Sequence, residues 1–168
     1  LLADSRLEAE RHIDPIKKSG TGSFGSVFVA DWQSPLPPCT LLPAMQHSYT
    51  RPEYMGKRIV AIKKMKRSYK TLQDCLSLNE LHAFVMIPPH ENIILLYDVF
   101  RKPLTHELFL VFECMEGNLY QLIKSRKGRA MASGLIASIT KQAVSGMAHI
   151  HAHGFRHLSL YHISEPTR

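Results

Sequence analysis

The chain has 168 residues and a hydrophobic fraction of 45%, which is enough for one domain with a sizeable core. Its formal net charge is +7, but the basic residues are dispersed and form no stripe interleaved with aromatic residues, which argues against nucleic-acid binding as the main function. The longest apolar runs, such as residues 108–112, have five residues and are too short to span a membrane.

Residues 1–11 read as a polar N-terminal extension. They contain no apolar secretory segment. They also lack an initiator Met, so we expect the chain to be incomplete at that end. The three cysteines of the chain are widely spaced and indicate no disulfide framework or zinc site, which favours a reducing compartment. We therefore expect a cytoplasmic or nuclear location.

A β-hairpin is predicted over residues 13–32, with its first strand over 13–19. A glycine-rich turn lies inside it, with the sequence Gly20-Thr21-Gly22-Ser23-Phe24-Gly25-Ser26-Val27. Glycine lets a backbone approach a phosphate closely, because no Cβ blocks the way. A P-loop requires Lys-Ser/Thr after its last glycine and a dinucleotide-binding fingerprint requires a helix there, but the residues that follow here favour a strand.

The next predicted strand follows a long insertion. Residues 33–56 are rich in proline and read as a surface loop between strands. In the strand over 58–66, period-two alternation places Ala61, Lys63 and Met65 on one face, with Val60 and Ile62 on the other. The pattern therefore predicts a strand that brings Lys63 to nucleotide phosphates, with Val27 covering a planar base.

The helix predicted next carries one unusual carboxylate. It covers residues 68–87 and ends at two prolines. Leu76, Glu80 and Phe84 recur every four residues and so share a helical face. A carboxylate in an apolar row is costly unless it is paired, so we predict an ion pair between Glu80 and Lys63.

Two strands and two helices complete the prediction. The strands lie near 93–100 and 107–113, and the helices cover 118–126 and 133–153, with Gly154 as the final stop. His149, His151 and His153 alternate in the last helix. Residues two apart on a helix point in nearly opposite directions, so these three histidines predict no metal site.

Taken together, these residues resemble the small lobe of a eukaryotic protein kinase over about residues 13–157. The resemblance implies an α+β fold, in which residues 12–115 form a small lobe with an antiparallel β-sheet and one long helix. Residues 116–157 then supply only the first helices of the large lobe. It also implies ATP as the cofactor, bound by Gly20, Thr21, Gly22, Ser23, Phe24, Gly25, Val27, Ala61 and Lys63, with Lys63 and Glu80 as the catalytic pair.

The resemblance extends through the segment Leu110-Val111-Phe112-Glu113-Cys114-Met115, which looks like the last small-lobe strand and the hinge. By this likeness Phe112 is the gatekeeper. The backbone of Glu113 and Met115 would hydrogen-bond the adenine edge, and the side chain of Asn118 would reach the ribose.

Residues 111–123 narrow the branch, because they are similar to the cyclin-dependent and MAP kinase group, nearest the male-germ-cell-associated kinases and their fungal meiosis-inducing relatives. That likeness implies ATP-dependent phosphorylation of protein substrates on Ser or Thr, with no membrane partner. The likeness implies Mg²⁺ as well, but the residues that bind Mg²⁺ in the family are absent from this sequence. The catalytic Asp is also absent, because Leu158-Ser159 follows His157 where the family has Arg-Asp. We therefore expect this chain to be inactive by itself.

Residues 158–168 closely resemble the translation of a common transposon-derived sequencing adapter, and we interpret them as a non-native tail. A genuine alternative ending is the other interpretation. Two further functions stay open at this point. One is a nucleotide-binding or scaffold module without catalysis, and the other is a basic interaction module that uses neither nucleotide nor catalysis.

Overall fold

Five antiparallel strands form one sheet in the order β1-β2-β3-β5-β4. The computed structural model describes residues 11–22, 25–34 and 52–155. The strands are β1 (Ile13–Thr21), β2 (Gly25–Trp32), β3 (Ile59–Ser68), β4 (Leu96–Arg101) and β5 (Glu107–Glu113). The predicted hairpin and the three later strands are confirmed within a few residues, and so is the α+β fold class.

Several predictions lie outside the described residues. They concern the extension 1–10, Ser23 and Phe24 of the glycine-rich turn, residues 35–51 of the insertion, and the segment 156–168 with His157 and Ser159.

Four α-helices accompany the sheet in the described ranges: α1 (Leu72–Leu76), α2 (Asn79–Met86), α3 (Leu119–Ser125) and α4 (Ser133–Ala152). A short 3₁₀ turn, Pro52–Tyr54, precedes β3. Residues 114–118 connect β5 to α3, close to the boundary predicted between the two lobes. Of the helices in these ranges, none is long and apolar enough to cross a membrane.

The single long helix predicted over 68–87 is wrong. β3 continues to Ser68, and the helical residues that follow are divided between α1 and α2. At the break, the Ser77 hydroxyl donates to the Asp74 carbonyl oxygen at 2.7 Å, and Leu78 adopts an extended backbone with ψ of 108°. Such a local side-chain bond competes with helix continuation. Leu76 therefore belongs to α1 and does not share a helical face with Glu80.

The two faces of β3 pack into separate cores, as its alternation predicts. On one face, Met65 joins residues of α1, α2, β4 and β5 in a buried cluster. On the other face, Val60 and Ile62 pack with Trp32, Phe100 and Val111. The central part of β3 thus lies between two apolar layers, and its apolar side chains alternate between them.

An ion pair links the two edges of the sheet, on the face that carries Val60 and Ile62. Arg11, just before β1, donates through Nε to Asp98 Oδ2 in β4 at 2.7 Å, and the Asp98 side chain is only 1% exposed. β1 and β4 are the two edge strands of the sheet, so the contact requires the sheet to curl until its edges meet. Ile13 and Leu95 pack beside it against the same core.

The long helix α4 rests on the turn that follows α2. Gly146 is its one buried residue, and a Cβ there would lie 2.9 Å from the Asn92 carbonyl oxygen. His149 Nε2 donates to the Pro88 carbonyl oxygen at 3.0 Å. The helix ends as predicted, because Gly154 takes a φ of +81°, a conformation that glycine adopts without strain.

Replacing Arg11 by Met should destabilise the protein strongly. The change leaves the buried Asp98 carboxylate without its cation, a loss that typically lowers the free energy of unfolding by about 3–5 kcal/mol. Lys64→Met is the matched control, because it removes a cation from the half-exposed Lys64–Glu107 pair, which contributes about 1 kcal/mol or less. Urea denaturation measures both values, and equal losses would contradict the closure of the sheet by Arg11.

Candidate functional site

The predicted nucleotide-contacting side chains of the sheet lie on one face. In the register of the strands, Gly25 pairs with Met65 and Val27 with Lys63, while Ala61 pairs with Phe112. Paired residues of an antiparallel ladder share a face, and successive residues alternate. Gly25, Val27, Ala61, Lys63 and Phe112 therefore form one surface, on the side of the sheet where α1 and α2 pack.

Lys63 and Glu80 form the predicted ion pair across this surface. Lys63 Nζ donates to both carboxylate oxygens of Glu80, at 2.7 Å and 2.6 Å. The side chains are 20% and 34% exposed, respectively, so the pair is fixed by the protein on one side and open to solvent on the other. The arrangement presents a rigidly held ammonium group at an accessible position on the sheet.

Helix α2 places Glu80 by packing its next turn against the sheet. Leu81 is fully buried in the core. The Phe84 ring contacts the Phe112 ring edge to face, with centroids 5.2 Å apart, a favoured geometry for aromatic pairs. Glu80 and Phe84 are one turn apart in the same helix. The gatekeeper suggested by the sequence, Phe112, is thus a packing partner of the helix that carries Glu80.

The glycine-rich turn is tight at its end and open at its start. Gly22 N–H donates to the Gly25 carbonyl oxygen at 2.8 Å. A Cβ on Gly25 would lie 2.1 Å from the Lys64 carbonyl oxygen, whereas a Cβ on Gly20 or Gly22 would meet nothing within 4 Å. Gly25 is therefore required by the packing of β2 on β3. Gly20 and Gly22 leave open space beside the backbone, and Thr21 between them is exposed.

The segment predicted as the hinge is anchored to the residues before β4. Leu95 N–H donates to Glu113 Oε1 at 2.8 Å, and Glu113 N–H donates to the Leu95 carbonyl oxygen at 3.0 Å. A contact of Glu113 with a base therefore has to use its carbonyl oxygen. Met115 is largely exposed, while Cys114 before it is buried. The base-binding roles of Glu113 and Met115 stay predictions.

Asn118 has a structural task that the sequence prediction did not include. Its Oδ1 accepts from Gln121 N–H at 2.8 Å, and Gln121 Oε1 accepts from Asn118 N–H at 3.1 Å. This reciprocal capping box begins helix α3. The signal was present in the sequence as Asn-x-x-Gln before an apolar run. The predicted ribose contact is untested, and it would have to use the carboxamide nitrogen.

No group of three or more His, Cys, Asp or Glu side chains suited to a metal ion occurs within residues 11–22, 25–34 and 52–155. The alternating histidines make other contacts. His149 bonds to Pro88, and His153 Nδ1 donates to the His149 carbonyl oxygen at 2.8 Å.

Sequence reasoning missed Tyr69, whose phenol lies close enough to Glu80 to be influenced by its charge, and Arg101, which donates to the Tyr69 carbonyl oxygen. Tyr69 is 4% exposed. Burial raises the pKa of its phenol, and the carboxylate of Glu80 raises it further. Arg101 is the last residue of β4, and its side chain is buried. A basic residue directly after the apolar pair Val99-Phe100 was the available signal, because a buried cation requires partners.

Comparison with known proteins gives one family. Residues 49–160 match the protein kinase domain. The meiosis induction protein kinase of Saccharomyces cerevisiae is 34% identical over 154 residues, covering 86% of this chain and 24% of the relative. Serine/threonine-protein kinase ICK of Rattus norvegicus is 39% identical over 145 residues, covering 86% and 19%. Serine/threonine-protein kinase MAK of Mus musculus is 39% identical over 108 residues, covering 61% and 17%. The chain thus spans a quarter or less of the length of these relatives.

Replacing Gly25 by Ala should destabilise the sheet beside the site. The new methyl group meets backbone rather than a flexible side chain, and overpacking of this kind costs about 1–3 kcal/mol of folding free energy. Gly22→Ala is the control, since its methyl group enters open space and should change stability by no more than about 0.5 kcal/mol. Chemical denaturation distinguishes the two, and a Gly25→Ala variant as stable as Gly22→Ala would contradict the packing described.

Proposed function

The chain belongs to the protein kinase family, and we propose that it is the ATP-binding portion of a kinase that transfers the ATP γ-phosphate to Ser or Thr of protein substrates. The observation that carries this proposal is the Lys63–Glu80 pair, with both oxygens of Glu80 on Lys63 Nζ. The likeness to kinases named as serine/threonine-specific supports the choice of acceptor residue.

The residues of the site fit a nucleotide by their chemistry. Gly20 and Gly22 border open space in which phosphate groups can approach the backbone. Lys63 supplies the cation for the α- and β-phosphates, and Glu80 fixes that cation by two charge-assisted hydrogen bonds. Positioning of this kind is the main contribution that protein residues make to phosphoryl transfer.

The base would lie against the apolar part of the same surface. Val27 and Ala61 are partly exposed on adjacent strands and would flank the ring, with Phe112 behind it. Glu113 and Met115 would bond the edge of the base through their backbone groups, and Asn118 would reach the ribose. Concave apolar surfaces with a few convergent polar groups are typical of cofactor sites.

Catalysis by this chain is a separate question from nucleotide binding. Kinases use Mg²⁺, held by residues of the catalytic loop and of the D-F-G segment, and the sequence has Leu158-Ser159 where the family has Arg-Asp. A serine hydroxyl does not act as a base near neutral pH. We propose that the chain binds ATP without transferring its phosphate, which also makes a non-catalytic nucleotide-binding module the second candidate function.

The proposed location is the cytoplasm or the nucleus. Cys75 and Cys114 are both buried, and the three cysteines of the sequence are widely spaced, which suits a reducing compartment. Protein substrates with accessible Ser or Thr would be the partners of the longer kinase, and we propose neither a membrane nor a nucleic-acid partner.

Replacing Lys63 by Met should weaken the binding of a non-hydrolysable ATP analogue by about 10- to 100-fold, the loss expected for a hydrogen bond to a charged group. Lys64→Met is the matched control. It makes the same chemical change one residue along β3, where the side chain points to the opposite face and pairs with Glu107. Isothermal titration calorimetry measures both affinities. Equal losses, or no binding by the unaltered chain, would contradict the proposed site.

The unaltered 168-residue chain should transfer no γ-phosphate to a Ser/Thr peptide mixture. The physical reason is that Ser159 stands where the family has its catalytic Asp, and that Glu165 is the one acidic residue after His157, which leaves no acidic pair for metal ions. A radiolabelled transfer assay with ATP and Mg²⁺ checks this, using an active kinase as the positive control. Transfer that Lys63→Met abolishes would show that the chain is catalytic as it stands.

A further inference from the structure

Arg101 binds the linker that leads from the sheet to the helices. It is the last residue of β4 and is 6% exposed. Its Nη1 donates to the Tyr69 carbonyl oxygen at 3.0 Å and also to the Lys70 carbonyl oxygen. Tyr69 and Lys70 belong to the three-residue linker, 69–71, between the end of β3 and the start of α1. One buried cation thus bridges two successive carbonyl groups of that linker.

Other hydrogen bonds hold the same linker. Tyr69 N–H donates to the His106 carbonyl oxygen at 2.8 Å. Asp74 Oδ2 accepts from Lys70 N–H at 3.1 Å and from Thr71 N–H at 2.9 Å. These amide bonds, with the nearby charge of Arg101, lower the pKa of Asp74. The amide groups of the linker are therefore bonded by His106 and Asp74, and Arg101 supplies the bonds to the carbonyl groups of Tyr69 and Lys70.

The linker matters because the helices after it are short. α1 has five residues and α2 has eight, and helices of this length are not stable without tertiary contacts. Their position relative to the sheet has to come from anchors at their ends and from packing. The linker is the covalent anchor at the start of α1, and α2, which carries Glu80, follows after Ser77 and Leu78.

Tyr69 connects the linker to the helix that carries Glu80. Its backbone is held by His106 and Arg101, while its side chain belongs to the buried cluster that contains Cys75 of α1 and Leu81 of α2. Leu81 is the residue next to Glu80. A shift of Tyr69 would therefore disturb the packing on which the position of Glu80 depends, since close-packed interiors transmit small displacements.

We propose that Arg101 is a positioning residue for the Lys63–Glu80 pair. By holding the carbonyl groups of Tyr69 and Lys70, it fixes the entry into α1 and keeps Glu80 within hydrogen-bonding distance of Lys63. The functional meaning of this role rests on the proposed nucleotide site, but the effect on the pair does not.

The first test is a double-mutant cycle on nucleotide affinity. Arg101→Met should weaken binding of the ATP analogue by about three- to thirtyfold, the range in which residues remote from a ligand modulate coupling. In a Glu80→Gln background the same substitution should have little further effect, because the pair is already lost. An equal effect in both backgrounds would overturn the proposal. Arg101→Lys keeps the charge with a single donor group, and it should recover part of the affinity and supply a folded variant.

The second test measures the state of the Lys63–Glu80 pair in the absence of nucleotide. Lys63 and Lys64 are acetylated with acetic anhydride in the folded chain, and mass spectrometry gives the rate at each site. Arg101→Met or Arg101→Lys should increase acetylation at Lys63, since an amine released from a carboxylate is more accessible to the reagent, and should leave Lys64 unchanged. Unchanged acetylation at Lys63 would overturn the proposal. Absence of nucleotide binding would refute the proposed function alone.

Arg11→Met is the stability control for both tests. It removes a buried arginine from the opposite face of the sheet, so it should lower stability without altering nucleotide affinity or Lys63 acetylation. If Arg11→Met changes these two readouts as much as the Arg101 variants do, general destabilisation explains the result and the positioning role is wrong.

Discussion

The ion pair between Lys63 and Glu80 joins strand β3 to helix α2, and the site exists only if these two elements are correctly placed relative to each other. A half-exposed ion pair adds little to stability, so its importance lies in geometry. It forms only if β3 presents its odd-numbered residues to the helices, and only if α2 packs with Glu80 toward the sheet. The buried Leu81 and the Phe84–Phe112 contact satisfy the second condition.

The first condition depends on β3 lying between two cores. Val60 and Ile62 belong to the layer that Arg11 and Asp98 close at the edges of the sheet. Ala61 and Met65 face the cluster with the helices. A strand packed on both faces has little freedom to rotate or shift. The packing of Val60 and Ile62 therefore fixes the direction in which Lys63 points, whereas Arg11 and Asp98 act at the edges of the sheet, two strands away from β3.

Local sequence patterns predicted much of the fold and of the site. The contacts between residues that are distant in the sequence were not predicted. The alternation around Lys63, the glycines of the turn and the stop at Gly154 are short-range signals, and the structure contains all three. The pair was predicted from a continuous helical face that does not exist, because the bond from Ser77 to Asp74 divides the helix. The prediction of the ion pair still succeeded, since Glu80 and Phe84 lie one turn apart in α2.

The Arg11–Asp98 ion pair joins residues 87 positions apart, and no periodicity in a sequence predicts that the edges of a sheet meet. Asn118 shows a different limit of prediction from sequence, because an asparagine at this position is compatible both with a helix cap and with a ligand contact.

Two lysine–glutamate pairs flank β3 on opposite faces, Lys63 with Glu80 and Lys64 with Glu107. If the strand slipped by one residue, each lysine would turn to the other face and approach the other carboxylate. The charges alone would then be satisfied almost as well in the wrong pairing, so they do not discriminate between the two alignments during folding. The discrimination has to come from uncharged groups. A slip would move Val60 and Ile62 out of their core, and it would present β2 with a different carbonyl group in place of the Lys64 oxygen that only Gly25 accommodates.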